Sequence, residues 1–329
     1  MKIITGYVLK ALALVLVAIS INFLLIHLMP GDPIIHILGE SEYFKLQTNY
    51  PEKLEEVRVM YSLDGTKVEQ YFSFLKNTAT LQFGQSFTSG RNVVELVMFR
   101  MRWTLMLAIT SIVISAIVGG ILGVIAGYYK GSKLDAGLTF VFLLLETIPA
   151  NCLALIVLMI FAFNLKWFPI GGMASGGLAG FAKFVDTIRH MALPVSVLSL
   201  FRTSSNFLLV KSFVSQIREE EFVLTAIAKG VPKKVLLGKH ILRNVLVPYV
   251  TILCLQFGFI FSGSMLIEVV FSWKGMGTLI YEGVMARDYP TVQLCFLVTS
   301  VCVILFHLLA DVLAWTLDPR IKDGMTNEN

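Results

Sequence analysis

Ionisable residues stand inside the long apolar stretches of this chain, among them Glu146, Arg202, His307 and Asp311. A charged side chain at the centre of a membrane-inserted helix costs roughly 2.5–3.5 kcal/mol on insertion scales, so such groups stand where they pair, meet water or meet a solute. The chemistry open to them is recognition of charge rather than bond making. The sequence has no nucleophile, base and orienting group in motif context, no H-E-x-x-H metal spacing and no G-x-x-x-x-G-K-S/T phosphate loop. No catalytic, cofactor-binding or metal-ligating residue is therefore assigned. The cysteines Cys152, Cys254, Cys295 and Cys302 all lie in apolar blocks without the spacing of a disulfide framework or zinc site, and read as small hydrophobes.

Arg202 belongs to a polar run with Ser196, Ser199, Thr203 and Asn206, and helical spacing puts most of these on one face. A polar stripe among apolar helices implies water, a solute or hydrogen bonding to a neighbouring helix. Glu146 and Arg202 are expected to interact or to face a common polar cavity, and with Asn206 they are the candidates for lining a polar pathway. His307 and Asp311, one helical turn apart, read as a hydrogen-bonded structural pair.

Helices that cross a membrane must position these residues. Of 329 residues 56% are hydrophobic and 15% charged, and the mean hydropathy is +0.76, where a soluble domain carries about 25% charged residues. The apolar residues come in blocks near the length of about 20 that a spanning helix needs, without the alternation of a membrane barrel. The expected fold class is all-α: a polytopic membrane protein with six transmembrane helices, over 8–29, 103–127, 136–163, 191–213, 247–271 and 291–316. The first is read as a retained helix because it is long for a signal core and lacks a small-residue cleavage site. With a cytoplasmic N-terminus the short inside segments hold 13 Lys and Arg residues and the short outside loops 5, which places both termini in the cytoplasm. The net charge of +5 is thus an orientation signal and does not point to a nucleic acid.

The expected organisation is a first transmembrane helix over 1–29, an extracytoplasmic segment over 30–102 and a five-helix core over 103–329 that includes a cytoplasmic loop at 214–246. Apolar residues recur at helical spacing in the second part, at Leu54, Val57 and Tyr61, at Val68, Tyr71, Phe72 and Leu75, and at Val94, Val97, Met98 and Met101, so short packed helices are expected there. Gly119, Gly123 and Gly127 leave one helix face bare for close approach of another helix.

The most informative stretch is 219–248, EEEFVLTAIAKGVPKKVLLGKHILRNVLVP. Gly230 can end one helix and Pro232 can begin the next. That next helix is amphipathic, with Val235, Leu236, Ile241, Leu242, Val245 and Leu246 on one stripe and Lys233, Lys234, Lys239 and Arg243 beside it. By composition alone it could lie on the inner leaflet.

This segment resembles the coupling loop of ABC importer permeases of the dipeptide, oligopeptide and nickel family, in its B-type subunit branch. The matching residues are Glu220, Glu221, Phe222, Val223, Thr225, Ala226, Ala228, Lys229 and Gly230, then Arg243, Asn244 and Pro248. The likeness extends through Pro30-Gly31-Asp32-Pro33, Trp167-Phe168-Pro169, Leu193-Pro194, Glu268-Val269-Val270-Phe271-Ser272-Trp273, Gly275-Met276-Gly277, Arg287-Asp288-Tyr289-Pro290 and Leu317-Asp318-Pro319-Arg320. Departures are Leu224, where the general importer motif has Glu, Ile227, where the branch has Arg, and Asn151, where it often has Phe.

What the resemblance implies is a division of labour. This chain would pair with a second homologous permease subunit as a heterodimer in a prokaryotic cell membrane. Two cytoplasmic ABC ATPases would bind ATP and Mg, and an extracytoplasmic solute-binding protein would deliver a peptide; this chain itself would bind no cofactor and would not be an enzyme. Glu220, Glu221, Thr225, Ala226, Ala228, Lys229 and Gly230 would couple to an ATPase. Import of nickel or another metal complex on the same scaffold is the alternative, followed by an ATP-independent channel or secondary transporter. The cargo is not named by the sequence.

Overall fold

A computed structural model of the chain describes residues 2–27, 33–60 and 65–317. Residues 30–32 of the Pro30-Gly31-Asp32-Pro33 motif, residues 318–320 of the terminal motif and Tyr61 lie outside the described residues. All regular elements among the described residues are helical, apart from an isolated bridge between Gln85 and Asn92. Two compact units form, Met1–Thr104 with Lys274–Leu305, and Leu105–Trp273 with Phe306–Asn329.

The first unit opens with α1 (Lys2–His27), followed by α2 (Pro33–Leu38), α3 (Glu40–Asn49), α4 (Pro51–Met60) and α5 (Lys67–Ala79). Ile34, Tyr43 and Leu54 bury a small core under α2–α4. Thr66 and Glu69 start α5 with a reciprocal capping box. α5 then lies on α1 through a Ser20–Tyr71 hydroxyl hydrogen bond of 2.7 Å and edge-on packing of Tyr71 on Phe23. The beginning of α6 (Val93–Tyr128), α14 (Met276–Met285) and the first part of α15 (Tyr289–Leu317) complete this unit. The buried Asp288 carboxylate accepts from Ser86 Oγ at 2.5 Å and from the Phe87 backbone N–H at 3.3 Å.

The second unit holds the rest of α6, then α7 (Lys133–Thr147), α8 (Ala150–Val157) with a π-helical continuation through Asn164, α9 (Gly180–Arg218), α10 (Glu221–Ala228), α11 (Lys233–Val235), a π-helical stretch over Leu236–Leu242, α12 (Arg243–Gly258), α13 (Ile260–Val270) and the end of α15. The bare face of α6 meets α9 as expected. A Cβ on Gly123 would sit 2.8 Å from the Phe207 carbonyl, and one on Gly127 would sit 2.7 Å from the Lys211 carbonyl, so the two backbones are nearly touching.

Among the described residues five helices are long and apolar enough to cross a membrane, and a bent pair of helices would bring the number to six when counted as one span. The bend lies between α7 and α8, at 97°, within the stretch 136–163 that reads as one straight helix in the sequence. Pro149 is its cause, since a residue before proline is pushed out of the helical region, and Ile148 has φ −85° and ψ 122°. The fifth span also differs. Helix runs without a gap from Lys233 to Gly258, so the amphipathic segment after Pro232 is the end of the span itself, and a break at Phe259 sets off α13. His307 packs edge-on against Phe259, and Asp311 has no hydrogen-bond or ion-pair partner among the described residues, which corrects the expected pairing of the two.

Candidate functional site

The sequence around Gly230 folds into a short helix held rigidly at both ends. Gly230 has φ +76°, a left-handed conformation that glycine adopts without penalty, and its N–H reaches the Ile227 carbonyl while Val231 N–H reaches that of Ala226. On the other side, Arg218 at the end of α9 donates to the Tyr128 carbonyl at 2.6 Å, and Lys130 pairs with Glu219 at 2.6 Å. That hydrogen bond and the lysine charge hold the Glu219 carboxyl below the usual carboxylate range.

α10 is apolar nearly all round, and packing decides which side is turned inward. Val223 (0% exposed) and Ala226 (7%) enter a core with Val214, Leu236, Ile241 and Val245. Leu224 (54%) and Ile227 (48%) are left outside with Phe222, Thr225, Ala228 and Lys229. Of the residues that the sequence offers for coupling, Glu220, Glu221, Thr225, Ala228, Lys229 and Gly230 are exposed, whereas Ala226 packs within its own chain. The outward apolar stripe of Leu224, Ile227 and Ala228, spaced i, i+3 and i+4, is the surface that α10 presents.

A second cluster lies where α7 ends beside α9. Glu146 occupies the last turn of α7, is exposed, and accepts one hydrogen bond, from Ser205 Oγ at 3.0 Å. Arg202, one turn before Ser205 on α9, extends instead to α13, where its Nη2 lies 3.2 Å from the position a Cβ on Gly263 would occupy. The structure thus brings Glu146 to Ser205 and Arg202 to Gly263, without an ion pair between the two charges. Asn206 is fully buried: its amide donates to Ser115 Oγ on α6 at 3.2 Å, and its carbonyl oxygen accepts from Gln256 Nε2 on α12 at 2.8 Å. It ties three helices together.

Two contributors went unseen in the sequence. Ser205 sits next to Asn206 but off the stripe built around Arg202. Lys211 reads as an ordinary cation at the cytoplasmic end of its span, yet its Nζ lies 2.6 Å from Asp135 Oδ1, and Thr139 Oγ1 accepts from it at 2.7 Å. The available signal was Asp135 and Thr139, two polar residues at i, i+4 in an apolar block.

Residues 119–323 match the family of binding-protein-dependent transport system inner membrane components. The chain belongs to this family. Over 310 residues it is 31% identical to the oligopeptide transport system permease protein AppB of Bacillus subtilis, covering 94% of this chain and 95% of the relative. Over 318 residues it is 30% identical to the di/tripeptide transport system permease protein DppB of Pseudomonas aeruginosa, covering 92% and 93%. The matched region of the family contains α10, the α7–α8 break and Arg202, so both clusters lie in the shared permease architecture.

Proposed function

We propose that this chain is one membrane-spanning permease subunit of an ATP-driven importer, forming half of a pathway for peptides handed over by an extracytoplasmic binding protein. The partners in this reading are a second, homologous permease chain and two cytoplasmic ATPases, which hold ATP and Mg and carry out the hydrolysis. Both termini, and α10, are on the cytoplasmic side of a prokaryotic cell membrane. The family and the peptide permeases it resembles support the class of cargo.

The observation that carries the reading is α10 itself. An exposed stripe of Leu224, Ile227 and Ala228 is a poor surface to leave in water and a good one to lay into a groove. It sits at the foot of α9, which has 39 residues and so extends about 58 Å at 1.5 Å per residue. A push on α10 is transmitted along α9, because Val223 and Ala226 lock the short helix to Val214, and the Lys130–Glu219 ion pair and the Arg218–Tyr128 hydrogen bond lock the foot of α9. Glu220, Glu221, Thr225 and Lys229 then supply the polar rim, and Gly230 the turn. Glu146 and Arg202 line the pathway, and Asn206 holds the helices that frame it.

The test is co-purification. A Leu224→Glu, Ile227→Glu double variant should insert and pair with its permease partner but lose the ATPase subunits. Retention of the full ATPase complement, with import at the wild-type rate, would rule out α10 as the coupling element.

A further inference from the structure

Glu146 is an exposed carboxylate on a helix of a candidate membrane span, at the point where that helix breaks. Both facts constrain what lies opposite. An ionised side chain facing lipid is disfavoured, and so is non-helical backbone, which is tolerated at membrane depth only where it is covered by protein or lines a water-filled cavity. Thr147 and Pro149 at the break are exposed, as is Ser205 on the neighbouring helix. A carboxylate, a hydroxyl and an open backbone turn therefore share one uncovered polar surface.

The charge of Glu146 is not balanced locally. Among the described residues it has no ion-pair partner, and its one hydrogen bond is the neutral donor Ser205 Oγ on Oε1. Arg202, the nearest cation along α9, is turned toward Gly263. Ser205 fixes the carboxylate by Oε1 and leaves Oε2 open to a further donor. Such a group selects a compact donor that carries a positive charge, and charge-assisted hydrogen bonds to ammonium groups are about twice as strong as neutral ones.

We infer that Glu146, oriented by Ser205, is a recognition site in the pathway for the ammonium group of the passing peptide. The inference rests on the proposed peptide-import function and deepens it by assigning the chemistry that one wall of the pathway reads. Two sources supply that chemistry, the N-terminal amine, which is largely protonated at neutral pH with a pKa near 7.7–8.0, and the side chain of lysine. Glu146 contacts the group directly; Ser205 acts through Glu146 and is a positioning residue.

The experiment uses the whole complex in proteoliposomes, with the binding protein saturated by each peptide so that differences arise after delivery. Uptake of peptides with a free amine is compared with their N-acetylated forms, and of lysine-containing peptides with norleucine analogues. In the Glu146→Gln complex the preference for the cationic member should fall about tenfold, Glu146→Asp should keep part of it, and Ser205→Ala should show a smaller fall in the same direction. Loss confined to the N-terminal pair assigns the site to the terminal ammonium, and loss in both pairs assigns it to either source. Unchanged preference in Glu146→Gln overturns the inference. So does an equal fall for all peptides with loss of the second permease chain, which would make Glu146 a subunit contact. A wild-type complex that imports no peptide with ATP would instead remove the function on which the inference rests.

Discussion

Lys211 on α9 and Asp135 on α7 meet at 2.6 Å, with 21% and 9% of their side-chain surfaces exposed, and close the start of one helix onto the lower part of another. Asp135 is held further by the Gly131 N–H at 2.9 Å and by Thr139 Oγ1 at 3.1 Å. Removing one member of a buried pair leaves the other charge uncompensated.

Lys211→Met should accordingly destabilise the chain by about 3 kcal/mol, the low end of the range for broken buried pairs because Lys211 keeps some contact with solvent. Adding Asp135→Leu should recover much of that loss. Thermal unfolding of the two variants in detergent, completed as a double-mutant cycle, measures the coupling.

The glycine face of α6 gives a sharper contrast. A Cβ on Gly123 meets backbone at 2.8 Å, but one on Gly120 meets only the Tyr249 ring, at 3.5 Å. Gly123→Ala should cost about 1–3 kcal/mol by forcing α6 and α9 apart, and Gly120→Ala should be close to neutral. Equal melting temperatures for the two variants would count against the close approach.

The spans were legible because twenty-residue apolar blocks have few other uses, and the glycine face because three small residues four apart favour helix packing over a pore lining. The break at Pro149 was not. Pro194 and Pro248 stand in equally apolar stretches, yet helix continues through both, so proline alone does not tell a bend from a tolerated gap. The inward face of α10 was equally hidden. A short helix apolar nearly all round has no pattern to orient it, and the choice was made by Val214, Leu236 and Ile241, all of them on other helices. Lys211 and Asp135 are 76 residues apart, a pairing that only the tertiary fold reveals.

The orientation argued from basic residues has its own test. Single cysteines at Gln82 and Gly176, both exposed, should react with an impermeant thiol reagent applied to intact cells, and one at Lys234 only after permeabilisation. Labelling at position 234 in intact cells would reverse the assignment of sides.

Acid should loosen the foot of α9. The Glu219 carboxyl is held below its ordinary value by Lys130, so the Lys130–Glu219 pair is complete above about pH 4.3 and is lost as pH falls through the lowered value. Selective carboxyl labelling of Glu219 should show its titration midpoint move upward in Lys130→Gln. An unmoved midpoint would mean that the pair does not form in solution.

In the proposed function, ATP hydrolysed by partner subunits drives solute through this chain. The most direct measurement of this is uptake of a labelled peptide into proteoliposomes containing both permease chains and the ATPases, with the binding protein outside and ATP within the ATPase-facing compartment. Accumulation above the external concentration with ATP, and none with a non-hydrolysable analogue, is the predicted result. Equilibration that proceeds without ATP, or without the ATPase subunits, would contradict it and would mark the chain as a channel or an ion-coupled carrier.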